Sequence, residues 1–111
     1  MTGHVHNYQR FSAPLHDKEH VPFIVAGAGG YNKRLHTLSK AFHDAQENNR
    51  LPLQMSGDPA QLDNFKDDQH GYLRVTVTDE HLTLDYVAVP DPSANPKDAY
   101  LPPFDSVTVT F

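Results

Sequence analysis

The chain has 111 residues and a mass of 12.5 kDa, the size of one modest domain. Nine lysines and arginines against 14 aspartates and glutamates give a formal charge of -5, a balance that argues against a nucleic-acid binder. There is no cysteine, so disulfide scaffolds, thiolate zinc sites and cysteine nucleophiles are excluded.

No apolar run approaches the roughly 20 residues of a membrane helix. The first residues lack the basic region and apolar stretch of a signal peptide. Eight histidines direct attention to metal or acid–base chemistry. Nine prolines predict that much of the chain is loop.

In chain order, residues 3–11 carry two histidines, His4 and His6, separated by one residue. Residues 21–26 are a short apolar run closed by Gly27, Ala28, Gly29 and Gly30, which predicts a buried strand entering a glycine loop. Leu35, Leu38, Ala41, Phe42 and Ala45 recur at spacings of three and four, predicting one helix that stops at Asn48 and Asn49. Residues 50–69 are polar and broken by Pro52, Gly57 and Pro59, and they predict a long surface loop.

Residues 72–89 alternate twice around Asp79 and Glu80, the pattern of a β-hairpin whose loop extends beyond a two-residue turn. Residues 90–103 hold five prolines and predict an extended connection. Val107, Val109 and Phe111 then alternate with Ser106, Thr108 and Thr110 as a half-buried strand. The whole reads as α+β, mainly β, with an antiparallel hairpin and one helix.

On an extended backbone, residues i and i+2 face the same way, so two imidazoles spaced like His4 and His6 reach one metal or two neighbouring metals. Neutral imidazole suits zinc, iron, manganese or nickel better than magnesium or calcium. On spacing alone a bare His-x-His pair is a weak signal, and a polar loop is the better reading of it.

The wider string Gly3-His4-Val5-His6-Asn7-Tyr8-Gln9-Arg10-Phe11 is far more specific. It resembles the last metal-binding block of the calcineurin-like metallophosphoesterases, and most of all their purple-acid-phosphatase-like branch. The glycine-rich segment 21–31 and the hairpin beginning at His70 are similar to segments that follow this block in the family.

The resemblance implies a β-sandwich with helices outside, and a phosphoester substrate. It also implies a pair of divalent or trivalent metal ions (Fe, Zn or Mn), with His4 serving one and His6 the other. A metal-bound hydroxide attacks phosphorus in such a site. Tyr8 and Arg10 fall where site-lining residues stand, and an arginine there holds a phosphate oxygen. The alternative for Arg10 is pairing with a carboxylate. Members of this branch are often exported.

The family's Asp-x-His, bridging-aspartate and Gly-Asn-His blocks precede Gly-His-x-His, which here begins at residue 3. Gly57 and Asp58 are a poor substitute, since Gln61 stands where Asp or Tyr is required. Residues 1–111 are therefore expected to be the C-terminal portion of a metallophosphoesterase domain, inactive by themselves.

The competing expectation is a non-catalytic β-rich binding or oligomerisation module. Residues 21–26 and 107–111 would then offer exposed sheet edges to a second copy.

The remaining candidates are weaker. Gly27 to Gly30 match neither a P-loop nor a dinucleotide fingerprint, so a tight turn is the better reading. Tyr31 and Asn32 follow it as minor candidates. His36 and His43 fall on the polar face of the expected helix as solvated residues. His16 and His20 lie in an expected loop, His70 precedes the hairpin and His81 sits at its turn.

Overall fold

The computed structural model describes residues 5–15, 18–29, 35–55, 57, 59–89 and 102–110. Among these described residues, seven strands and one helix follow in chain order: β1 Tyr8–Leu15, β2 Lys18–Ala26, α1 Lys40–Glu47, β3 Leu53–Gln54, β4 Gln61–Lys66, β5 Gly71–Val77, β6 His81–Ala88 and β7 Asp105–Thr110. They form two antiparallel sheets, in the orders β2-β1-β4-β3 and β5-β6-β7. The mainly β reading holds.

The hairpin is in register, Leu73 opposite Tyr86 and Val77 opposite Leu82. Its Asp79-Glu80 turn works without glycine because the Thr78 hydroxyl accepts the His81 amide at 3.0 Å, while the Thr78 amide donates to the His81 carbonyl at 2.8 Å. The last strand pairs with β6, Val107 opposite Leu84.

The sheets face each other across a small core of Tyr8, Ile24, Ala28, Leu35, Leu84 and Tyr86. The Tyr8 and Tyr86 rings stack at 4.1 Å. The other face of the first sheet carries Phe11, Leu62 and Phe65, and α1 lies against it. The Gln46 amide donates to the Phe65 carbonyl at 2.8 Å, and the His43 ring meets the Phe65 ring edge-on at 5.1 Å.

Three expectations are corrected: His20, expected in a loop, falls in strand β2, and two longer segments differ as well. The long loop over residues 50–69 contains β3 and β4, and β4 is an interior strand with Leu62 and Phe65 fully buried. Leu62 and Phe65 are three apart, which breaks strand alternation. A bulge restores it: Arg10 pairs with Asn64 and Phe11 with Leu62, so Asp63 is skipped and both apolar side chains share a face.

The helix begins at Lys40, not at Leu35. Residues 35–39 form a strap instead, with Leu35 in the core and the Leu38 amide donating to the buried Asp67 carboxylate at 2.7 Å. The helix ends where expected. The Arg50 amide returns to the Ala45 carbonyl at 2.7 Å and the Asn49 amide to Gln46 at 3.3 Å, with Asn49 left-handed at φ 55°. This is the double hydrogen bond of a Schellman cap, with asparagine in the glycine position.

Candidate functional site

Of the two candidate metal ligands, His4 lies outside the described residues, as do His16, Tyr31, Asn32 and Asp58. His6 is described. Residues 5–7 form a bend, closed by the Asn7 amide donating to the Val5 carbonyl at 2.9 Å, and the extended backbone begins at Tyr8.

Three neighbours hold this bend. The Gly27 amide donates to the Asn7 carbonyl at 3.0 Å. The buried Asn7 side chain donates to the His36 carbonyl at 2.8 Å and accepts from Gln9 at 2.9 Å. His36 itself meets His6 through backbone and ring. Its amide donates to the His6 carbonyl at 3.0 Å, its Nδ1 accepts the His6 amide at 2.9 Å, and the two rings stack at 4.8 Å.

His36 is therefore not on the helix, and its ring contacts the candidate block. His43 is on the helix but not simply solvated: its Nε2 lies 2.8 Å from the Asp67 carboxylate. His70 and His81 are exposed, at the start of β5 and at the hairpin turn.

The glycine loop is committed to structure along its described part. The Gly27 amide is used by Asn7, and the Ala28 carbonyl accepts from Gly71 at 3.3 Å. Close to the strap lies a cavity of about 350 Å³ lined by Leu35, Thr37, Asp67, Asp68 and His70.

Tyr8 and Arg10 point between the sheets, onto Asp105 of β7. The Tyr8 hydroxyl donates to Asp105 at 2.5 Å. Arg10 donates through Nε at 2.7 Å and Nη2 at 3.1 Å, and Asn64 adds a bond at 3.2 Å. Asp63, the residue skipped at the bulge, is part-buried and lies 3.5 Å from Arg10 Nη1. Burial opposes the Asp105 charge, but hydrogen bonds from Arg10 and Tyr8 and the guanidinium charge outweigh it and hold the carboxyl below its usual range.

Burial also pushes the Tyr8 hydroxyl far up, reinforced by its bond to Asp105, so it stays protonated. For Arg10, burial works against the charge, yet its bonds to Asp105 keep the guanidinium firmly charged. Carboxylate pairing, the alternative raised for Arg10, is the arrangement present. A phosphate oxygen would have to compete with Asp105 for its donors. Composition and spacing gave no sign of Asp105, because its partner Arg10 lies 95 positions away.

As a metal centre, the described residues are partial. His6 supplies one imidazole, a sound ligand for zinc-like ions. Among the described residues, no three histidine, aspartate or glutamate side chains gather into a metal site. They fit one ligand of a metal pair and not the carboxylate bridge that a pair needs.

No helix among them is long and apolar enough to cross a membrane. Compared with protein-family models, curated proteins and solved structures, the chain matches none.

Proposed function

We propose that this chain contributes the final metal-ligand block of a two-metal phosphoester hydrolase of the calcineurin-like, purple-acid-phosphatase-like type. His4 serves one metal and His6 the other, and the remaining ligands come from outside these 111 residues. The observation that carries the reading is the string from Gly3 to Arg10, with His6 held at the head of an interior strand.

Such a centre binds a phosphoester, and its metals supply the activated hydroxide when bound. This chain's own residues fix the ligand. Asn7, Gly27 and His36 secure the bend, and the Tyr8–Arg10–Asp105 network anchors the strand behind it. Two imidazoles without a bridging carboxylate bind metal weakly and turn over little substrate.

Calorimetric titration with zinc tests the reading. Weak binding that falls in both His4→Ala and His6→Ala supports it, and binding indifferent to both substitutions contradicts it.

A second reading, a β-rich module that pairs with another copy of itself, draws on a separate observation. Val75 and Val77 are 47 % and 65 % exposed on the apolar face of the second sheet. The edge strand β7 carries no charge and no proline from Ser106 to Thr110, so nothing there discourages edge pairing. A chain that sediments strictly as a monomer at high concentration contradicts this reading.

A further inference from the structure

The strap formed by residues 35–39 is fixed independently of the histidine block. Leu35 sits in the inter-sheet core at one end. At the other, the Leu38 amide is bound by Asp67, a buried carboxylate that also holds His43 of α1. The strap is thus anchored to both the core and the helix before His36 makes any contact with His6.

From that position His36 grips both His6 and Asn7. Its amide reaches the His6 carbonyl, its carbonyl receives the Asn7 side chain, and its ring both accepts the His6 amide and stacks on the His6 ring.

We propose that His36 is a positioning residue for His6, setting the direction in which its imidazole is presented. This rests on the hydrolase reading for its purpose, though not for its geometry. The ring contact has a chemical signature. A backbone N–H can only donate, so His36 Nδ1 must accept, and the neutral ring then carries its proton on Nε2. Groups that orient a metal-bound histidine are commonly worth about 10- to 100-fold in metal affinity.

The test separates this proposal from the hydrolase reading. In the metal-free wild-type chain at neutral pH, long-range nitrogen–proton correlations should show His36 as the Nε2–H tautomer; the Nδ1–H tautomer overturns the proposal.

His36→Phe keeps a flat ring over His6 and removes the acceptor, whereas His36→Asn restores an acceptor near the Nδ1 position. The His6 amide should exchange with solvent at least about tenfold faster in the phenylalanine variant and return towards wild type in the asparagine variant, with the β5–β6 amides unchanged. A His6 amide that exchanges alike in all three proteins overturns the proposal.

Zinc is then added to each. A weaker response of the His6 ring in His36→Phe supports positioning of a ligand, and an equal response contradicts it. If the wild type takes up no zinc at His6, the hydrolase reading fails, while the tautomer and exchange results still decide the role of His36.

Discussion

Asp105 shows how one side chain can join two sheets. It accepts hydrogen bonds from Tyr8, Arg10 and Asn64 and stands on β7, the far edge of the second sheet. A buried charge with every acceptor position served is stable; the same set with one member removed is not.

Asp105→Ala leaves the Arg10 guanidinium only its longer contact with Asp63 and should cost about 3 kcal/mol in urea unfolding. A loss below about 1 kcal/mol would place the pair in the class of exposed salt bridges.

The same carboxyl sets an acid limit. Its folded pKa is lowered, so its contribution is fully present above the unfolded value of about 4 and is lost as pH falls through the folded value. The urea midpoint of the wild type should therefore drop below about pH 4, and Asp105→Asn should flatten that slope. Equal slopes in the two proteins would assign acid sensitivity elsewhere.

Tyr86, pushed up to about 12 by burial and by the nearby Asp68 charge, stays neutral across this range and contributes no such limb.

At the scale of elements, the tightest fit lies where β5 begins. A Cβ on Gly71 would press on the Val87 carbonyl and lie 2.6 Å from the Tyr86 ring and hydroxyl. Those atoms belong to the paired strand and the core, so they cannot yield cheaply. Gly71→Ala should cost at least about 1–3 kcal/mol and weaken the β5–β6 amides first in hydrogen exchange.

The hairpin, the last strand and the end of the helix were legible because their signals are local: alternation over seven or eight residues, and asparagines that tolerate a left-handed turn. Strand β4 was not, because the bulge at Asp63 hides a shared face behind a spacing of three.

Nor does β1 carry a strand signal. Its core-facing side carries Arg10 and Ser12 beside Tyr8, a polar set that is acceptable only with distant partners such as Asp105. Leu35 and Leu38 mimicked a first helical turn, yet their roles are core filling and capture of Asp67. The histidine string is conspicuous in sequence, while His36, which contacts His6 and Asn7, lies on the strap and not on the helix its spacing predicts.

At the scale of the molecule, the two sheets share, among the described residues, a core of six buried residues with partly buried neighbours such as Leu73 and Val107, and apolar surface is left on Val75 and Val77. The polar Asp105 network adds a second link between the sheets beside that core. Purified chain loaded with zinc or manganese should show no clear turnover of an aryl phosphate or a diester, because a carboxylate bridge and a proton donor for the leaving group are needed besides two imidazoles. Turnover that survives His6→Ala would locate catalysis away from this block.

The most direct measurement is a metal titration watched at the imidazole signals of His4 and His6. The account predicts that zinc shifts both, that manganese broadens both, and that the exposed His81 at the hairpin turn responds least. Signals of His4 and His6 that stay unchanged at millimolar metal, or that respond no more than His81, would contradict it.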